Sequence, residues 1–431
     1  MHVLTEKKSG AVQENLFWIS FLLYIAATTL QTTFFFPYFT GAPYKLIILF
    51  CLLCLVIREV MLDYFSTEAL IPFAICAVLA AIIAKNAPQI MFIAIPMYIY
   101  AARNIPFRKI ALVTAGVQAV ILAVVILSSQ AGLITDYFEM WSGRTRHYLG
   151  FRYSLYGPTV LYNVIALYLC AKGRSVRWYM YVILTGADFL LYQLTDSRMT
   201  FTTSLILILI SVLDRIFPNL CRRIGVINRL CVLAFPICCV GSIWVTAAYK
   251  PFGFMKKLNA SLANRIYYGY NSLLENGFRL FGQKITWVGN GLRVDGTPSS
   301  QVRNYVDNLY LQDLQRYGLM FLVLMIAVLT VFSWKCWRQQ NYLLLYMLAL
   351  TAGHAILDDL VFFLCYNTFW LAIIPTIHPG LADVRTDQPE VRGHAAGGGL
   401  MIARGKDART GLPEARGHAA RNGQPEAYHT I

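Results

Sequence analysis

Charge is scarce in this chain. Only 14% of its 431 residues are Asp, Glu, Lys or Arg, and acids are the rarer sign, 22 against 37 Lys and Arg. A soluble domain carries about a quarter charged residues. With 57% hydrophobic residues, one core cannot take the apolar surface out of water, which argues against a soluble fold. Strand alternation is also missing. The apolar runs are long and continuous, which argues for helices rather than a transmembrane barrel. The two longest loops expected outside lack cysteine. All ten cysteines fall in apolar runs or in segments expected inside. The CLLC stretch at 51–54 has CxxC spacing but no His or acidic company, so small buried hydrophobes are expected there rather than a metal or disulfide site. A small-residue cleavage site is absent from the N-terminal stretch, and the first span is expected to serve as its own address. No internal repeat relates two halves, a lack that counts against a transporter.

Apolar runs of the length a membrane requires are abundant. The expected fold is an all-α polytopic integral membrane protein with about twelve spans (ten to twelve). The candidates are 15–36, 43–57, 69–84, 88–102, 109–128, 153–171, 177–194, 198–213, 230–249, 318–334, 341–357 and 360–377. With the N-terminus placed inside, fifteen Lys and Arg fall in inner segments and six in the short outer ones. That bias sets the orientation and puts both ends of the bundle in the cytoplasm. Residues 250–317 then form a large extracytoplasmic loop of 68 residues with nine basic and four acidic side chains. Loops of that length are usually functional or partly folded. Its stretch 255–282 reads as a helix, lying on the membrane or packed on the bundle.

Residues 1–377 are therefore expected to form the bundle, and 378–431 a disordered cytoplasmic tail. The tail is rich in Gly, Ala, Arg and Glu and repeats every 12 residues: VRGHAA at 391, ARGKDA at 403, ARGHAA at 415. It offers no apolar face to bury.

Arginine gathers on the side expected to be external: Arg144, Arg146 and Arg152 in GRTRHYLGFR, Arg198 in LTDSRMTF, and Arg265, Arg293 and Arg303 in the long loop. An arginine at membrane depth costs about 2.5–3.5 kcal/mol on insertion scales. Its planar fork matches phosphate oxygens. The pattern points to a lipid-linked phosphate or diphosphate. A structural ion pair of Arg198 with Asp196 or Asp188 accounts for LTDSRMTF alone equally well. Nothing in the chain suggests nucleic-acid binding.

LTDSRMTFTTSLILIL resembles the Ser-Arg motif that opens a span in Wzy-type polysaccharide polymerases and the related O-antigen ligases. ANRIYYGYNSLLENG is similar to the arginine and aromatic helix of their large loop, WVGNGLRVDG to its Gly-x-Gly turn, and VDNLYLQDLQRYGLMFLVL to its exit. RTRHYLGF resembles a segment of the capsule polymerases, and GHAILDDLVFFLCYNTFWL their penultimate acid and asparagine. The resemblance spans about 144–372. Asp307-Asn308 stands where many relatives have His-Asn, so no catalytic histidine carries over.

The resemblance implies a GT-C-like fold and a metal-independent glycosyltransferase without cofactor, in the bacterial cytoplasmic membrane. It would polymerise undecaprenyl-diphosphate-linked repeat units into capsule, exopolysaccharide or O-antigen, beside a flippase and a chain-length regulator. Arg198 and Arg265 would hold the leaving diphosphate and Asp307 would act as base, with Asp295 in reserve. Arg144, Arg146, Arg152, Arg293, Arg303, Asp196 and Tyr268 would contact substrate. Tyr267, Tyr268 and Trp287 are candidates for a sugar groove or for interfacial anchoring, and His147 is a lesser candidate. His354 with Asp358 or Asp359 would neutralise the basic pocket. Rival readings are the ligase branch and a flippase of lipid-linked oligosaccharide. Truncation after residue 378 is expected to leave insertion and activity intact, checked by membrane fractionation and polymer gels of the truncated protein.

Overall fold

A computed structural model describes residues 2–61, 67–86, 91–141, 144–289, 291, 292, 297 and 302–378. The chain divides into two units, 1–386 and 387–431. The second, and with it nearly all of the repetitive tail, lies outside the described residues.

Nearly every apolar run becomes a helix. The order is α1 (His2–Leu30), α2 (Gly41–Val60), α3 (Thr67–Ala84), α4 (Met91–Ala101), α5 (Phe107–Gln130), α6 (Tyr156–Lys172), α7 (Trp178–Thr195), α8 (Arg198–Ile216), the short α9 (Leu220–Arg223), α10 (Gly225–Val232) and α11 (Ala234–Ala247). In the long loop follow α12 (Gly253–Ser261), α13 (Arg265–Asn276) and α14 (Leu309–Gln312). The chain then continues as α15 (Leu319–Arg338), α16 (Tyr342–His354) and α17 (Ile373–Ile377). Among the described residues, α2, α5, α8 and α15 are long and apolar enough to cross a membrane. The pair α10–α11, bent by 61°, is a fifth if it counts as one span. The bend follows from Pro236, whose ring would strike the carbonyl of Val232 if α10 ran on.

Large apolar side chains face outward on these helices: Val120 is 62% exposed and Val182 74%. In water such faces would be covered; in lipid they need no cover. The described residues are mostly helical, and their apolar helices fit a membrane-embedded protein. Twelve crossings are not reached by helix length and composition. The last run, 360–377, is not a continuous helix but two 3-10 turns leading into α17. Its irregular backbone is satisfied from neighbouring helices. Gln118 Nε2 donates to the Cys365 carbonyl at 2.6 Å, and Asn163 binds Gln118 at 2.8 Å and both the hydroxyl and backbone N–H of Thr368. Non-helical backbone survives at depth only when its polar groups are met in this way.

Two features depart from the sequence reading. The loop before α6 holds a hairpin, β1 (Phe138–Trp141) antiparallel to β2 (Arg144–His147), with Glu139 opposite Arg146. The stretch 255–282 is not one helix. It breaks at Ala263 and Asn264, both left-handed, and Asn259 braces the restart by accepting from Tyr267 N at 2.9 Å. The helix after the break, α13, packs on the bundle. Gly269 lies so close to Thr246 of α11 and Leu311 of α14 that a Cβ would meet both.

The loop closes on itself through two glycines. Gly318, at φ 97°, faces the backbone of Leu280 and Gly282, and Gly282, at φ 79°, faces that of Arg316 and Tyr317. Gln283 N donates to the Arg316 carbonyl at 3.1 Å and Met320 N to the Leu280 carbonyl at 3.1 Å. No side chain fits between the two backbones. Gly318→Ala is expected to cost at least about 1–3 kcal/mol in backbone strain alone. It should lower the unfolding temperature of the detergent-solubilised protein and speed proteolysis within 250–317.

Candidate active-site cavity

The long loop returns to the bundle at Asp307, and the residues around that point are fixed by hydrogen bonds. Asn308 caps α14, its side chain accepting from Leu311 N at 3.1 Å. Leu309 N donates to the Ala355 carbonyl at 2.9 Å and Tyr310 Oη to the Ala352 carbonyl at 2.8 Å. Asp307 is thereby tied to the end of α16. Further on, Gln315 is held to α13, donating to the Ser272 and Gly277 carbonyls and accepting from Ser272 Oγ at 2.9 Å. Asn304 pairs with Val288 through its backbone and its side chain, which lays 287–289 alongside 303–305.

This framework brings two cations onto one carboxylate. Arg265 Nε, at the first residue of α13, donates to Asp307 Oδ2 at 3.0 Å, and Arg303 Nη2 donates to the same oxygen. Arg303 also lies over the Tyr268 ring, 5.0 Å from its centroid. Both arginine side chains are 19% exposed and that of Asp307 is 13% exposed, so the cluster sits well inside the surface yet reachable. Burial alone would disfavour the charge of Arg265. Asp307, Tyr153 and Asp358 outweigh that and hold it above its ordinary value.

Arg265 and Asp307 open into a cavity of about 250 Å³. Its other walls are Tyr153, Leu155 and Tyr156 before and within α6, Gly289, Gly291 and Leu292 of the Gly-x-Gly turn, Tyr305, and Leu357 to Leu360 after α16. Four stretches singled out in the sequence therefore meet at one place. Tyr153 feels Arg265, Arg303 and Arg146 together with Asp307, which puts Arg146 within electrostatic reach of the cavity.

The acids after α16 divide their work. Asp358 is buried, faces His354 Nε2 at 3.3 Å and accepts from Leu360 N at 2.9 Å. Asp359 keeps some accessible surface, lines the cavity and accepts from Tyr305 Oη at 2.6 Å. Burial and the neighbouring Asp358 push Asp359 above the usual carboxylate range. Deeper in lies Asp313, fully buried with neither carboxylate oxygen hydrogen-bonded among the described residues. Burial, then Asp359, hold its carboxyl well above the ordinary value. The sequence reading treated Asp359 as a neutraliser and passed over Asp313 and Tyr305. The DD doublet was the visible signal, since ionisable groups at membrane depth are functional candidates.

The other arginines lie elsewhere. Arg198 is 60% exposed and donates Nε to its neighbour Asp196 at 3.2 Å; it does not line the cavity. Arg146 Nε donates to the Thr195 carbonyl at 3.2 Å, at the end of α7. Arg152 Nη2 donates to the Gln31 carbonyl at 3.0 Å, just past α1, and lies over Phe36. It lines a second cavity, of about 440 Å³, that shares Tyr156 and Leu360 with the first. Arg144 stands opposite Trp141 in the hairpin; its side chain, and all of Arg293 and Asp295, lie outside the described residues. His147 is engaged by Asp136 at 3.3 Å. Trp287 donates to Ser272 Oγ at 3.2 Å and packs against Tyr305, within the loop.

No protein-family model matches the chain, and neither the curated proteins nor the solved structures give a match.

Removing Asp307 would leave two guanidiniums facing one another in a half-sheltered site. Stripping one partner from a buried pair costs about 3–5 kcal/mol, and partial exposure places this case near the lower end. Asp307→Ala is expected to destabilise the protein more than Arg303→Ala. The double variant should fall short of the sum, checked by a denaturation cycle in detergent micelles.

Proposed function

We propose that the chain is a membrane glycosyltransferase of the polysaccharide-polymerase type, which joins undecaprenyl-diphosphate-linked oligosaccharide units at the outer face of the bacterial cytoplasmic membrane. The observation that carries this reading is that Arg265 and Asp307 line a polar cavity, with Arg303 paired to the same Asp307 oxygen, in a chain of apolar helices. An amphiphile with an anionic headgroup and a long apolar tail fits such a place. The headgroup meets fixed cations while the tail stays in lipid. The resemblance of 144–372 to the Wzy-type family points to the same substrate.

In the reaction, a hydroxyl of the acceptor sugar attacks the donor's anomeric carbon. The bond from that carbon to the diphosphate oxygen breaks, and diphosphate departs with the electron pair. Charge grows on the leaving group as the bond breaks. Cations already in position stabilise it without reorganising. Among the described residues Arg265 spends only its Nε on Asp307, which leaves its terminal Nη donors for phosphate oxygens. Asp307 serves this arrangement as the brace that holds both guanidiniums together. The cytoplasmic placement of both ends, and work beside a flippase and a chain-length regulator, belong to the same proposal.

Purified protein supplied with lipid-linked repeat units is expected to give a ladder of products on gels. Arg265→Ala should reduce the ladder by roughly 100-fold or more, the size of loss seen on removing one preorganised donor. Arg265→Lys should restore little, because an ammonium cannot fork onto two oxygens. Arg198→Ala should retain more activity than Arg265→Ala, since Arg198 is exposed and paired locally. Single additions in place of a ladder would favour the ligase branch.

A further inference from the structure

The cavity contains three carboxylates, and their surroundings differ. Asp307 Oδ2 is already occupied by Arg265 and Arg303. Asp358 is 6% exposed and committed to His354 and to the backbone of Leu360. Asp359 lines the cavity, forms no ion pair among the described residues, and has neutral donors, the Tyr305 phenol and its own backbone N–H. We propose that Asp359, rather than the arginine-clamped Asp307, is the group that takes the proton from the acceptor hydroxyl.

This assignment rests on the glycosyl-transfer reading. As the acceptor oxygen bonds to the anomeric carbon, its proton passes to the Asp359 carboxylate. The electron pair of the broken C–O bond leaves on the diphosphate beside Arg265. The protonated Asp359 then returns its proton to water or to the departing diphosphate, which restores the site. Spatial separation of roles makes chemical sense. A base must bind a proton, which nearby cations oppose, whereas a leaving-group site must present cations. Asp359 and Arg265 line one cavity, so both ends of the reacting assembly are served.

The groups bearing on Asp359 are Asp358 beside it, Tyr305, Asp307, Asp313 and Tyr317 from the loop, and Tyr156 from α6. Apart from the three phenols these are acids, and with burial first and Asp358 next its affinity for a proton is raised rather than lowered. A raised carboxyl is deprotonated, and competent as a base, only above its own elevated value. Activity should therefore rise as pH increases through that value and then level off.

The test compares Asp359→Asn, Asp359→Glu and Asp307→Asn in the ladder assay with purified lipid-linked repeat units. Asp359→Asn keeps the shape and can still accept from Tyr305. It is expected to lower kcat by roughly 100-fold or more, to leave KM within a few-fold, and to abolish the acid limb of the pH profile. Asp359→Glu should restore part of the rate with a shifted limb. Asp307→Asn should raise KM and keep the limb. Equal thermal unfolding of the two Asp359 variants and the wild type separates a chemical loss from misfolding. Ladders from Asp359→Asn within threefold of wild type, or loss of the acid limb in Asp307→Asn instead, would overturn the assignment alone. A wild type that makes no ladder would overturn the glycosyl-transfer reading and this inference with it.

Discussion

One carboxylate oxygen shared by two guanidiniums is the interaction on which the loop-bearing end depends. Asp307 Oδ2 receives Arg265 from α13 and Arg303 from the extended chain before α14. Both contacts require that the loop return to the bundle in one register. That register is set by the cap at Asn308, the bond from Leu309 to Ala355, and the mutual approach of Gly282 and Gly318. Asp358 and Asp359 line the same cavity as Arg265. At low effective dielectric such charges interact strongly over several ångströms. Loop geometry and cavity electrostatics are for this reason one problem: to move Asp307 is to release Arg265.

The apolar runs made the helices legible, because lipid as solvent demands runs that water would not tolerate. Where the run was interrupted the reading failed for local reasons. Residues 360–377 look like a span in composition. Yet Asn367 and Thr368 are buried and hydrogen-bonded within that segment, and the backbone there follows side-chain partners on α5 and α6 rather than its own helix. The hairpin at 138–147 is too short for alternation to register. The break at Ala263 and Asn264 carries no Gly or Pro to announce it.

The site was legible by residue type and not by position. Loop arginines stood out, as did the DD doublet and the Gly-x-Gly turn, and four of the stretches concerned do converge. What pattern alone did not distinguish was the partner each arginine would choose. Arg198 lies two residues from Asp196, and in LTDSRMTF that local pair is what forms. Asp196 itself ends α7 in a left-handed conformation, its N–H bonded to the Tyr192 carbonyl at 2.8 Å. Adjacent acids present the same difficulty. Asp358 and Asp359 are equivalent in the sequence and both line the cavity, yet one is committed to His354 and the other to Tyr305.

Two arginines outside the Asp307 cluster, Arg146 and Arg152, share a second logic, which narrows the field of ligand-binding candidates. Arg146 donates to Thr195 at the C-terminal end of α7, and Arg152 to Gln31 just beyond the end of α1. A helix leaves its last carbonyls without intrahelical donors, and its dipole places partial negative charge there. A guanidinium answers both needs, and more so near lipid, where water is a poor substitute. Several basic residues at this end of the bundle are therefore accounted for by the ends of the helices that reach it. Arg265 and Arg303 are different. Each belongs to the loop, each meets a side-chain carboxylate rather than a helix end, and together they bring more positive charge to Asp307 than it can neutralise. It is this local surplus, and not the number of loop arginines, that argues for an anionic ligand.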